Sequence, residues 1–178
     1  LNLTYDDFVR TTSKEHQKNA QEIWMKAFDN GYIFKKHYSG VYCVGCEAMK
    51  NKSELVDGKC PNHPSLEPEI VEEENWFFKL SEFGERLKKY YEKNPGFVQP
   101  EFRFNEIKSL VEEGLEDVSV SRPKEKLAWG IEVPNDANHV MYVWFDALTN
   151  YLYPKKYWPA DLHIIGKDIL RFHAALWP

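Results

Sequence analysis

The sequence is short of the features that mark most special classes of protein. Three cysteines in 178 residues are an odd count, which excludes a fully paired disulfide scaffold. No stretch approaches the ~18 consecutive apolar residues of a membrane span, so no membrane partner is expected. Positive charge is not in excess. There are 23 Lys and Arg against 28 Asp and Glu, a net charge of −5, whereas a stand-alone nucleic-acid binder normally carries a strongly basic domain. Local basic runs such as RLKKYYEK and YPKKYW read as solvated edges. Internal repeats and low-complexity tracts are absent as well, which excludes solenoids and repeat arrays.

What is present in quantity is aromatic. Aromatic residues make up 15% of the chain and tryptophan occurs six times. Four of the six fall in the last third, in LAWG, YVWFDAL, KKYWPAD and HAALWP. Such an excess fits a bulky core, and it equally fits a pocket for an apolar ligand.

The periodicity predicts an α/β fold. Ser13 is a suitable N-cap, Ala20, Ile23, Trp24, Ala27 and Phe28 recur at helical spacing, and Asn30-Gly31 supplies a stop. This predicts a helix over 13–30. GYIFKKHYSGVYC alternates like a pair of strands. Ser81 is expected to cap a second helix with Phe83, Leu87, Tyr90 and Tyr91 on one face, ended by NPGFVQP. Asn105 is expected to precede a third, with Ile107, Leu110 and Val111 inward and Gly114 as its stop. From Val118 the texture changes: VSVSR alternates, WGIEVP is short and extended, and HVMYVWF and LHIIG read as buried strands, each followed by a helical stretch. Strand–helix–strand–helix predicts a parallel sheet, with ligands at the carboxyl ends of its strands. That places a binding rim at Phe145–Asp146–Ala147 and Gly166–Lys167–Asp168. The extended opening LNLTYDDFVRTT and the unfinished helix HAALWP suggest a piece of a longer chain.

All three cysteines lie in CVGCEAMKNKSELVDGKCPNH. Cys43-x2-Cys46 and Cys60-x2-His63 are separated by thirteen residues, and each short pair can offer two ligands from one tight turn, as in a tetrahedral zinc site. Gly45, Asp57-Gly58, Pro61 and Pro64 supply the turns. Four protein ligands leave no open position, so the zinc is expected to be structural. The plainer readings are unrelated reduced thiols beside a surface histidine, or a redox Cys-x-x-Cys. A redox motif, however, opens a helix after a strand, and here a turn-rich linker and a second ligand pair follow. Reduced thiols point to a reducing compartment: cytoplasm, or a mitochondrial matrix.

YVWFDALTNY followed by ADLHIIGKDILRFHAALWP resembles the catalytic domain of the methionyl-tRNA synthetases, a family of class I aminoacyl-tRNA synthetases. The resemblance runs the length of the chain, through DDFVRTT, GYIFKKHYSGVYCVGCE, DGKCPNHP, EEENWFFKLSEFGERL, NPGFVQPEFRFNE, GLEDVSVSR and WGIEVPND. It implies a Rossmann-type catalytic domain: the end of its first half over 1–34, an inserted connective peptide over 35–134 with a single zinc knuckle at 43–63, and an incomplete second half over 135–178. It implies methionine, ATP with magnesium, and tRNA(Met) as substrates and partners. The family's His-x-Gly-His and Lys-Met-Ser-Lys-Ser signatures, which bind the ATP phosphates, are absent, so these residues alone are not expected to activate methionine.

The resemblance also implies site residues. Trp144, Ala147, Leu148, Tyr151, Ile169, Phe172 and His173 match the methionine pocket, with Tyr151 and His173 as the polar groups near the sulfur. Leu148 stands where some members carry proline. Asp168 and Arg122 match charged catalytic positions, and Gly130 and Glu132 match positions near the nucleotide. The local pattern permits this, since Ala147 and Tyr151, like Ile169 and His173, are i,i+4 pairs. On pattern alone Trp144 and Phe172 serve equally as core aromatics, His173 as a satisfied core histidine, and Asp168 as an N-cap. A sister class I synthetase for an aliphatic amino acid would need a much longer insertion with an editing domain. A non-catalytic zinc module binding tRNA or a protein explains the knuckle but not the two strand–helix units.

Overall fold

The computed structural model describes residues 2–46, 48–50, 54–153 and 155–178. The chain forms two compact units, Leu1–Phe34 with Trp76–Pro178, and Lys35–Asn75.

The larger unit begins with α1 (Lys14–Asp29), and its limits follow from the cap chemistry. The Ser13 hydroxyl accepts from the His16 amide at 3.1 Å, satisfying one of the free N–H groups of the first turn. At the other end Gly31 adopts φ 76°. Its amide donates to Phe28 and that of Tyr32 to Ala27, the paired closing bonds of a helix that ends on a left-handed glycine. Ala20 and Trp24 are fully buried. They form a core with Ile33, Val120, Ile131, Val133, Met141 and Phe145, and Trp24 meets Phe145 edge to face at 5.2 Å.

The chain leaves this unit along β1 (Ile33–Cys43) and, after β2 (Ala48–Lys50), returns along β3 (Glu69–Phe78). GYIFKKHYSGVYC is therefore one long strand rather than a pair. β1 and β2 pair antiparallel, as do β3 and β4 (Val118–Ser119), in the order β2-β1-β3-β4.

Two helices follow β3. A 3-10 turn, Leu80–Phe83, leads into α2 (Gly84–Lys93). Ser81 lies inside that turn instead of capping the helix, because its amide and hydroxyl both donate to Asp117. α3 (Glu101–Glu113) starts directly after Pro100, ahead of the expected Asn105, since a proline with φ already set suits a helix start. Leu87, Tyr91, Phe104, Ile107 and Val111 form a second core with Ala174 and Ala175, and the Tyr91 hydroxyl donates to the Ala174 carbonyl at 2.5 Å.

A second antiparallel sheet has the order β5-β7-β6, from β5 (Ser121–Pro123), β6 (Glu132–Val133) and β7 (Asp136–Met141). HVMYVWF is only partly strand: β7 ends at Met141 and α4 (Val143–Leu148) begins almost at once, so Trp144 is helical. LHIIG forms no strand, and Leu162 and Ile164 are 73% and 90% exposed. Its apolar character was legible, but no strand among the described residues pairs with it, and the expected parallel pairing is not among those seen. Lys167–Leu176 is helical, opening as a 3-10 turn and closing as a π-helix over Phe172–Leu176. The fold is α/β.

Candidate functional site

The smaller unit is organised around the cysteine segment, of which residues 47 and 51–53 lie outside the described residues. Cys43 ends β1, and a 3-10 turn over Val44–Cys46 carries the second thiol. Val56 and Lys59 bridge across Asp57-Gly58, both in the left-handed region at φ 51° and 78°, a two-residue turn that favours Asp-Gly. It delivers Cys60, whose carbonyl accepts from the His63 amide at 3.0 Å.

The ligand atoms of Cys43, Cys46, Cys60 and His63 all lie within 4.8 Å of one another. Cys46 Sγ is 3.5 Å from Cys60 Sγ and 3.3 Å from His63 Nδ1, and Cys43 Sγ is 3.7 Å from the same nitrogen. Such separations suit four ligands around one ion at Zn–S and Zn–N distances of ~2.0–2.3 Å. Cys43 and Cys60 are buried. A Cβ on Gly45 would sit 2.6 Å from the His63 ring, so the glycine leaves space for the fourth ligand. Burial pushes the Cys46 thiol up to about 11, helped by hydrogen bonds with Cys60 and Cys43. Burial opposes ionisation of Cys60 too, but bonds from His63, the Asn62 backbone and the other thiols bring it down to about 6. The Cys3His group is compatible with zinc, and its four ligands are all protein side chains.

In the larger unit, α4 and the closing helical segment bring four of the sequence-predicted pocket residues together. The rings of Trp144 and Phe172 stack 4.3 Å apart at 7°, and His173 meets Trp144 edge-on at 6.1 Å. Tyr151 Oη is 2.6 Å from His173 Nε2. His173 Nδ1 lies 2.9 Å from the Ile169 carbonyl, which can only accept, so Nδ1 carries a proton. In that tautomer Nε2 accepts from Tyr151, and burial raises the Tyr151 pKa.

Ile169 joins this cluster through its carbonyl on His173. Leu148 is buried at 3% exposure, and the Ala147 carbonyl accepts from Asn150. Asp168 is exposed at the start of the last helical stretch, where Gly166 holds the cap position, so Asp168 is not the N-cap. Arg122, on β5, donates to Ser119 Oγ and the Ser121 carbonyl and covers the Tyr142 ring at 4.9 Å. Gly130, at φ 154°, is pressed against Val140, whose side chain would lie 2.9 Å from an added Cβ. Glu132 pairs with Lys124.

Comparison with known proteins bears on what this cluster belongs to. The sequence model of the family described as tRNA synthetases class I (M) matches residues 1–67 and 64–178. The chain belongs to that family. Among other class I (M) synthetases, it is 47% identical over 189 aligned positions to the methionine–tRNA ligase of Caldanaerobacter subterraneus subsp. tengcongensis, and 48% over 196 to that of Streptomyces coelicolor. Both alignments take in 100% of this chain but 29% and 36% of the relatives. The chain therefore spans about a third of the length of these ligases. Mycobacterium tuberculosis methionyl-tRNA synthetase in complex with methionyl-adenylate superposes at a TM-score of 0.90 with 43% identity, over 99% of this chain and 37% of that one.

Two aromatic neighbours in this class I (M) chain escaped sequence reasoning. His163 and Trp177 both pack against Tyr151, with ring centroids 4.4 and 5.7 Å away. Trp177 follows His173 at i+4, a spacing that could have flagged it. His163 sits within LHIIG, where an apolar run hid it. Among the described residues, no helix is long and apolar enough to cross a membrane.

Proposed function

We propose that this chain is part of a methionine–tRNA ligase. The whole enzyme activates methionine with ATP and transfers it to the 3′ end of tRNA(Met). In the first step a methionine carboxylate oxygen attacks the α-phosphorus of ATP; an acyl–phosphate bond forms and pyrophosphate leaves, with magnesium at the phosphates. In the second, a ribose hydroxyl of tRNA attacks the acyl carbon and AMP leaves. Neither step needs a side-chain nucleophile, so catalysis rests on positioning and on charge stabilisation at the phosphate.

The observation that carries this reading is the aromatic cluster. Trp144 and Phe172 stack face to face beside the hydrogen-bonded Tyr151–His173 pair, and aromatic walls favour contact with a thioether sulfur, a weak acceptor. Trp144, Ala147, Leu148, Tyr151, Ile169, Phe172 and His173 form the methionine pocket. Asp168 and Arg122 act on the reacting groups, and Gly130 and Glu132 approach the nucleotide. Residues 1–34 and 135–178 belong to the two Rossmann halves and 35–134 to the connective peptide. Cys43, Cys46, Cys60 and His63 hold one zinc, which supplies a structural crosslink; the three thiols and the imidazole fix β1 to the turns that follow it. The similarity to bacterial ligases supports a cytoplasmic enzyme.

The test is ATP–pyrophosphate exchange by the full-length protein with each amino acid in turn. Exchange with methionine above all others is expected. Zinc bound at one per chain with no exchange on any amino acid would overturn the reading in favour of a non-catalytic zinc module.

A further inference from the structure

His16 is fully buried in the first turn of α1, and neither ring nitrogen has a hydrogen-bond partner among the described residues. A buried polar ring without partners is costly, so the group it faces is informative. Its Nε2 points at Asp146 Oδ1 from 3.7 Å, and the Asp146 side chain is only 13% exposed. Asp146 lies in α4 between Trp144 and Ala147.

The same helix makes a second polar contact with this stretch. The Asn19 side-chain amide donates to the Thr149 carbonyl at 3.0 Å. Thr149 in turn donates its hydroxyl to the Asp146 carbonyl at 2.7 Å. His16 and Asn19 thus hold residues 146–149, directly ahead of Tyr151. The buried His16–Asp146 contact lies at the α4 end of that grip, and Trp24 against Phe145 supplies apolar packing beside it.

We propose that His16 is a positioning residue for the methionine pocket. Its ring fixes Asp146, and through Asp146 it fixes α4 and the turn after it, so that Trp144 and Tyr151 meet Phe172 and His173. The role rests on the ligase reading given above and deepens it: His16 contacts no reacting group and acts through Asp146. A histidine that merely filled space would lower stability without preferring one substrate over another. Loss of a positioning histidine weakens methionine use in particular, because small displacements of pocket walls are costly.

The experiment uses the full-length protein with His16→Gln, Asp146→Asn and the double substitution, following exchange kinetics and thermal unfolding. Each single variant is expected to raise the KM for methionine about tenfold while the KM for ATP stays within about twofold. The double variant is expected to be no worse than the weaker single, as for two residues that act as one unit. An unchanged methionine KM, a parallel rise in both KM values, or additive effects would overturn the proposal. If His16→Gln fails to fold, Asp146→Asn alone carries the same KM test. Exchange that is present in the unsubstituted protein but insensitive to these changes removes the positioning role alone; no methionine-dependent exchange in the unsubstituted protein removes the ligase reading and the positioning role with it.

Discussion

Tyr151 and His173 are joined by a 2.6 Å hydrogen bond whose direction is set from behind, because the Ile169 carbonyl holds the proton of His173 Nδ1. In that tautomer Nε2 presents an acceptor to the phenol. Tyr151→Phe removes the donor and leaves Nε2 of a buried histidine unpaired. The expected cost is about 1–3 kcal/mol of stability, together with a higher KM for methionine. Denaturant unfolding and exchange kinetics of the full-length variant measure both.

Gly45 faces the His63 ring so closely that any Cβ would lie 2.6 Å from it. Gly45→Ala should displace the fourth ligand and weaken zinc binding by about tenfold or more, the scale of other changes that misplace a ligand. Zinc content after dialysis against a competing chelator measures this, and Gly58→Ala, within the turn ahead of Cys60 at φ 78° but with nothing within 4 Å of the added carbon, shows what backbone strain alone does.

Zinc binding takes thiolates and so displaces thiol protons, which makes affinity rise with pH. Burial holds Cys46 up to about 11, so the ion has to displace its proton, whereas hydrogen bonds bring Cys60 down to about 6. One zinc per chain is expected at neutral pH and progressive loss on acidification to about 5. Metal loss should release hydrogen-exchange protection in residues 35–75 before the larger unit.

Burial, and then the neighbouring His173, lower the pKa of His163, so the folded protein favours the neutral ring. A group whose folded pKa is depressed adds stability above its unfolded value, ~6.5 for histidine, and that stability is lost as pH falls through the folded value. The melting temperature should drop between about pH 7 and pH 5, and less steeply in His163→Gln than in the unsubstituted protein.

Legibility in the sequence tracked how local the determining physics is. The limits of α1 were readable because Ser13, Asn30 and Gly31 act within a few residues. The knuckle was readable because ligand spacing constrains a metal site directly. The start of α2 was not, since the Ser81 hydroxyl is taken by Asp117, 36 residues further on. The strand assigned to LHIIG failed for a similar reason: an apolar run says that a face needs cover, not that a partner strand is at hand. Trp144, Tyr151, Phe172 and His173 came from a family resemblance, and the structure brings these four side chains into one cluster. His163 and His16 owe their interest to contacts that no spacing rule describes.

The most direct measurement is methionine binding to the full-length protein, followed by quenching of tryptophan fluorescence, for the unsubstituted protein and for Phe172→Ala. The account predicts saturable quenching by methionine and none by leucine at the same concentration, with affinity reduced about tenfold or more once the Trp144–Phe172 stack is broken. Equal responses to methionine and leucine, or an affinity untouched by Phe172→Ala, would contradict it.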